Sequence, residues 1–173
     1  WSKEVIRDGQ VSAIILNSGG ANCYTGAQGF QTTHSTAEKV ADLLSVSAGD
    51  VVVCSTGLIG EQLDLGKLTA GAEAAVAQLS ETAGPSAAQA IMTTDSVSKT
   101  AEFISSDGWS IGGMAKGAGM LAPGLATMLV VITTDVQLTS AQLDEALRAA
   151  TRVSFDRLDS DGCMSTNDQV TLM

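Results

Sequence analysis

Residues 116–135 read KGAGMLAPGLATMLVVITTD. A glycine-rich, turn-prone loop closes on Pro123-Gly124-Leu125-Ala126, and a strand-like run, TMLVVITTD, begins at Thr127 with no spacer. The run is short, apolar and bounded by turn residues, the pattern of a buried strand. A threonine on such a seam raises a chemical question. Its hydroxyl is a weak nucleophile that needs a base, and one solution requires no histidine: the threonine's own free α-amine. An α-amino group has a pKa of about 7.7–8.0, near working pH. Thr127 is internal, so it gains that amine only if the Ala126–Thr127 bond is cut. The small and Gly/Pro residues before the bond let the chain bend tightly, and the strand after it would anchor a new N-terminus.

Outward from the seam, VSAIILNSGG (11–20) reads as a buried strand closed by turn residues. A glycine-bearing loop, NSGGANCYTGAQGF, follows. Ser35 and Glu38 form a capping box expected to open a helix through TAEKVADLLS. DVVVCSTGLIG (50–60) is a second buried strand, and LGKLTAGAEAAVAQL a helix of small residues broken at Gly84-Pro85. SAAQAIMTTD reads as a short helix or strand, and WSIGGMAKGAGM as a glycine-rich lead into the seam. TSAQLDEALRAATRVSFDRL is an amphipathic helix, with Leu143, Ala146, Leu147 and Ala150 in register. Strands and helices occur without a strict βαβ rhythm, so the expected class is α+β.

The chain has 173 residues, enough for one domain with a real core. Hydrophobic residues are 45% and aromatics 3%, so that core rests on Val, Leu, Ile, Ala and Met. A net charge of −10 argues against nucleic acid and anionic membranes as partners, since both select basic patches. Three widely spaced cysteines, Cys23, Cys54 and Cys163, fit a reducing compartment and no disulfide framework. No run reaches the apolar length of a membrane span, and no signal-peptide pattern opens the chain. The expected location is the cytoplasm. Both ends, WSKEVIRDG and QVTLM, look cut, so the chain is expected to be part of a longer gene product.

Several familiar motifs fail. GMAKG puts Lys116 before Gly117, not after it, so it is no phosphate-binding loop. RLDSDGCMSTND (157–168) has Asp159, Asp161, Gly162 and Asp168 at calcium-loop positions, but Arg157 stands where a carboxylate is needed, and a solvated turn is the expected role. His34 is the only histidine and lies beside the Ser35 cap, so its expected role is local. One His and scattered Cys give no metal site. Hydroxyls do cluster next to turns, at Ser55-Thr56-Gly57, Thr93-Thr94-Asp95 and Ala126-Thr127.

NSGGANCYTG, CSTGLIGEQL, AIMTTD, GGMAKGAGMLAPGLATML and FDRLDSDGCMSTNDQV resemble successive blocks of the ornithine acetyltransferases, the glutamate N-acetyltransferases of arginine biosynthesis. They fall in the family's order along nearly the whole chain, and the chain resembles an actinobacterial member. The resemblance implies a layered α/β sandwich of the self-processing N-terminal-nucleophile type. It implies a precursor that cuts itself between Ala126 and Thr127. Residues 1–126 would then be the C-terminal part of an α chain and 127–173 the N-terminal part of a β chain, together one domain truncated at both ends. Thr127 would be the nucleophile, Thr56 and Gly57 the oxyanion hole, and Lys116 and Thr93 (or its neighbour Thr94) substrate contacts. The implied reaction moves acetyl from N2-acetyl-L-ornithine to L-glutamate through an acetyl-threonine. No cofactor or metal is implied, and acetyl-CoA serves as co-substrate if the enzyme is bifunctional. The implied assembly is a heterotetramer of two αβ pairs. The family's later glutamate and C-terminal substrate contacts have no counterpart before Met173.

Lys116, eleven residues before Thr127, would meet a substrate carboxylate, and a strand-end turn such as STGLIG can aim N–H groups at an oxyanion. Two other readings compete. In one, water replaces glutamate, giving an N-terminal-nucleophile hydrolase or aminopeptidase. In the other, the chain is an inactive fragment.

Overall fold

The computed structural model describes the backbone of residues 1–173 and the side chains of all but Leu125 and Ala126. The chain divides into two units, Trp1–Ala83 and Gly84–Met173. A short helix, α1 (Ser2–Val5), precedes strand β1 (Ala13–Gly20). Helix α2 (Gly26–Leu44) crosses over to strand β2 (Val51–Leu58), and helix α3 (Leu65–Val76) follows. β1 and β2 pair in parallel from Ala13 opposite Val51 to Gly20 opposite Leu58, which requires a crossover such as α2. Their apolar runs, AIIL and VVVC, bury Val51 and Val52 completely. Ala37, Val40 and Ala41, at helical spacing along α2, form a core cluster with Val51 of β2 and Ala72 of α3. Burying each Val-sized side chain stabilises by roughly 1.5–3 kcal/mol. α1 closes the free edge of β2: Trp1 Nε1 donates to Val51 O at 3.0 Å and Ser2 Oγ to Val53 O at 2.7 Å.

α2 opens at Gly26, not at the Ser35–Glu38 box, and Ser35 lies inside the helix. The reason is a polar knot at its start. Thr25 Oγ1 donates to Asn22, whose Nδ2 donates to Gly29 O at 2.7 Å and to Thr33 Oγ1. A Cβ on Gly29 would overlap the Thr25 and Asn22 side chains, so this glycine is a packing requirement, not a helix breaker. His34 consequently sits mid-helix, its ring 5.1 Å from that of Trp1 and its Nε2 3.6 Å from Glu38.

The second unit begins with helix α4 (Gly84–Ala90), where Pro85 sits in the first turn that tolerates it. Strands β3 (Lys99–Ile104) and β4 (Ser110–Lys116) form a hairpin. A two-residue pair, β5 (Leu121–Ala122) and β6 (Leu125–Ala126), turns back on itself before strand β7 (Leu129–Thr134). Helix α5 (Ser140–Val153) then leads to strand β8 (Gln169–Leu172). The sheet runs β3-β4-β7-β8, with β4 antiparallel and β8 parallel to β7. α5 starts at a capping box between Thr139 and Gln142 and ends before a 3-10 turn at Phe155–Arg157.

Two expectations change here. WSIGGMAKGAGM, read only as a glycine-rich lead into the seam, holds a strand, Ser110–Lys116, and Gly113 lies flat against Val131 O, which a Cβ would approach to 3.3 Å. The strand expected from Thr127 starts at Leu129, because the chain first makes the β5–β6 turn.

Candidate active site

Lys116 ends β4 and stands in register with Leu129, the first residue of β7. That pairing brings the two ends of the 116–129 stretch together. Lys116 is not a surface lysine; it is 4% exposed, and its Nζ donates to Thr93 Oγ1 at 3.0 Å. Burial pushes the Lys116 ammonium below the ordinary lysine range, with Asp95 opposing the shift and Lys99 adding to it. Thr93 and Thr94 are both exposed. Asp95 is the buried hub of this corner, accepting from Gly117 N at 2.7 Å, from Thr93 N at 3.4 Å and from the Lys99 ammonium. Burial alone would raise its carboxyl, but the hydrogen bonds from Lys99, Gly117 and Thr93 outweigh it and hold the group below the usual carboxylate range.

Gly117 has φ +151°, and a Cβ there would come within 2.9 Å of Thr127 O. The turn held by Asp95 therefore presses against the backbone of Thr127. Thr127 N donates to Met120 O at 2.8 Å. Its Oγ1 is buried and has no hydrogen-bond partner among the described residues, an expensive state for a hydroxyl unless it has work to do. The following N–H, of Met128, donates to Asp168 at 3.3 Å. Ala126, the residue before the expected cut, lies outside the residues whose side chains are described.

Thr56 and Gly57 belong to the first unit, at the C-terminal end of β2 opposite Ser18 and Gly19 of β1. Thr56 is fully buried, and its Oγ1, like Ser18 Oγ and Asn17 Oδ1, has no partner among the described residues. Gly57 takes φ +136°, and a Cβ would strike the Gly19 backbone at 2.4 Å. Only glycine fits this close approach. The pairing of β1 with β2 continues through this point to Gly20 opposite Leu58.

Other chemistry is weaker. No disulfide joins Cys23, Cys54 or Cys163, and burial pushes the Cys54 thiol up to about 12, which leaves no thiolate at neutral pH. Among the described residues no group of three or more His, Cys, Asp or Glu is placed to hold a metal ion. The calcium-like loop is more than a solvated turn: Asp161 accepts from Met120 N at 2.9 Å, and Ser160 exchanges bonds with the Leu121 backbone. The sequence reading misses Asp95, Asn17 and Ser18 as site residues and weighs Asp161 only as a calcium-loop position. For Asp95 the signal was present, in an Asp directly after two threonines at a turn.

Solved structures share this fold. An ornithine acetyltransferase from Mycobacterium tuberculosis, solved with ornithine bound, matches with a TM-score of 0.69 and 51% identity over 73% of this chain and 69% of that one. An arginine biosynthesis bifunctional protein ArgJ from Bacillus halodurans matches at 0.62 and 32% identity, over 73% and 67%. These place the chain in the mixed α/β fold of the ornithine acetyltransferases. The chain belongs to the ArgJ family, whose model matches residues 1–173. The arginine biosynthesis bifunctional proteins ArgJ of Streptomyces coelicolor and Thermobifida fusca are 65% and 61% identical over the whole chain. The chain spans about half the length of these curated relatives, 45% of each. Among the described residues no helix is long and apolar enough to cross a membrane.

Proposed function

We propose that this chain carries the nucleophile of a glutamate N-acetyltransferase, which moves acetyl from N2-acetyl-L-ornithine to L-glutamate in arginine biosynthesis. The observation that carries the reading is the buried, unpartnered Oγ1 of Thr127 in a chain of the ArgJ family. In the precursor, Oγ1 attacks the carbonyl carbon of Ala126. The O–C bond forms, the C–N bond breaks, and the hydroxyl proton ends on the nitrogen. The shift frees the α-amine of Thr127, and water then hydrolyses the ester, which leaves a carboxylate on Ala126 and restores the Thr127 hydroxyl.

That amine then serves as base for its own hydroxyl. Oγ1 attacks the acetyl carbonyl of acetylornithine, ornithine leaves as the amine, and the acetyl-threonine passes its acetyl to the α-amine of glutamate. Thr56 and Gly57 take the oxyanion role, supported by the left-handed glycine and the unpartnered buried hydroxyl. Lys116 offers its ammonium to the carboxylate that both substrates carry, and Thr93 holds Lys116 in place or meets substrate itself. No resident cofactor enters these steps. Acetyl-CoA is a second acetyl donor in this reading, supported by the word bifunctional in the relatives' names. The cut halves stay together as α and β chains, in two αβ pairs, in the cytoplasm.

The test is an assay of the full-length protein with acetyl-labelled acetylornithine. Label appearing in N-acetylglutamate with ping-pong kinetics is the expected result. Label released as acetate at a rate indifferent to glutamate would favour the hydrolase reading instead.

A further inference from the structure

Met120 has φ +56°, a left-handed conformation disfavoured for any residue but glycine. It is gripped on both sides. Its N–H donates to Asp161 Oδ2 at 2.9 Å, and its carbonyl accepts from Thr127 N at 2.8 Å. The neighbouring Leu121 is held in the same way: its N–H donates to Ser160 Oγ at 3.3 Å, and its carbonyl accepts from Ser160 N at 2.9 Å. Strain of this kind persists only where the surroundings over-determine it. Here the surroundings are the 160–161 turn, and the result is a carbonyl aimed at the nitrogen of the bond proposed to be cut.

We infer that Met120 and Asp161 are positioning residues for the Thr127 nitrogen, the Asp161 carboxylate fixing the Met120 peptide whose carbonyl holds that nitrogen before and after the cut. This rests on the proposed cleavage before Thr127. During the N-to-O shift, the nitrogen is the leaving group and collects the hydroxyl proton. Its N–H groups gain positive charge, and a hydrogen bond to a carbonyl strengthens when the donor becomes charged. After the cut the same carbonyl faces the α-amine. When that amine takes the proton of Thr127 Oγ1 it becomes an ammonium, and the Met120 carbonyl favours this protonated form. The clamp therefore makes the amine a stronger base. It also spans the cut, since Met120 lies upstream of the bond and Asp161 downstream. The bonds from Met120 N–H and Cys163 N–H hold the Asp161 carboxyl below the usual carboxylate range, so the clamp stays ionised throughout neutral pH.

The experiment uses the full-length protein with Asp161→Ala and Asp161→Asn. Appearance of the polypeptide beginning at Thr127 is followed by mass, and the pH profile of kcat/KM is measured on cleaved enzyme. Loss of one positioned hydrogen bond is expected to slow the cut by about tenfold in Asp161→Ala. The acidic limb of the profile moves to lower pH, because a less supported ammonium deprotonates sooner. Asp161→Asn, which keeps an acceptor oxygen, falls between Ala and wild type on both readouts, and it carries the same test if the Ala variant does not fold. An acidic limb that stays at the wild-type position in both variants overturns the inference, even if the cut slows or the thermal midpoint falls, because that is what a structural brace alone would do. A wild type that never cuts overturns the parent proposal first, and this inference with it.

Discussion

Thr56 and Thr127 both carry a buried hydroxyl with no partner among the described residues, yet the protein builds their surroundings in opposite ways. Around Thr56 the work is done by backbone. Two parallel strands in strict register set Ser18 against Thr56 and Gly19 against Gly57, and the absence of side chains permits the approach. Around Thr127 the work is done by polar groups. Asp95 holds the Gly117 turn, Asp161 holds Met120, Asp168 holds Met128, and Lys116 is buried against Thr93. A rigid ladder suits a group that must only present fixed donors, the Thr56 hydroxyl among them, to charge as it develops. A nitrogen that changes from amide to amine needs partners that survive the change, and hydrogen bonds from side chains to flanking peptides supply them.

Substitutions at the two threonines break this comparison most directly. Thr127→Ala removes the nucleophile and is expected to give a single uncut chain without transferase activity, read by intact mass and by N-acetylglutamate formation. Thr127→Ser keeps a hydroxyl at the same place and is expected to cut. Thr56→Ala has the next largest effect: the cut enzyme loses about 10²–10³ in kcat, the usual cost of one oxyanion donor. Equal residual transferase rates for cleaved Thr56→Ala enzyme and for the Thr127→Ala chain would remove the distinction between the two sites.

Lys116→Ala comes third. If the ammonium meets a substrate carboxylate, KM should rise by roughly ten- to a hundredfold, the worth of a charged hydrogen bond, while the thermal midpoint changes little. A midpoint that collapses together with activity would make Lys116 a structural residue instead.

The smallest effect sharpens the role of Asp95. Its carboxyl is held below its unfolded value, so it contributes stability that is present above an unfolded pKa of about 3.9 and lost as pH falls through the lower folded value. Asp95→Asn is therefore expected to lose less stability than wild type when denaturant melts are compared at about pH 5 and about pH 3. Equal losses in the two proteins would show that the native bonds to Asp95 contribute nothing to acid stability.

How legible all this was differs between the two regions. β1 and β2 could be read because continuous apolar runs ending in glycine turns have few other fates. α5 could be read from its helical period and came with a capping box one turn from where the pattern starts. β3 could not: KTAEFI carries two charges, lies at the sheet edge and is exposed along its length, so no burial pattern marks it. The start of α2 was misplaced because Gly26 and Gly29 read as breakers, and only the packing of Gly29 against Asn22 and Thr25 reveals why a glycine belongs there. Thr127 and the Thr56-Gly57 pair are marked by their place beside turns, whereas the roles of Lys116, Thr56 and Gly57 follow from the family resemblance. Asp95 and Asp161 act through contacts 22 and 41 residues away in sequence, which no local pattern encodes.

The central claim is that Thr127 becomes an N-terminus, and the most direct test is N-terminal sequencing with intact mass of the purified full-length wild type. The account predicts two polypeptides, the second beginning Thr127-Met128-Leu129. A single chain that transfers acetyl from acetylornithine to glutamate at full turnover would contradict it, because the hydroxyl would then be acting without the amine that the cut creates.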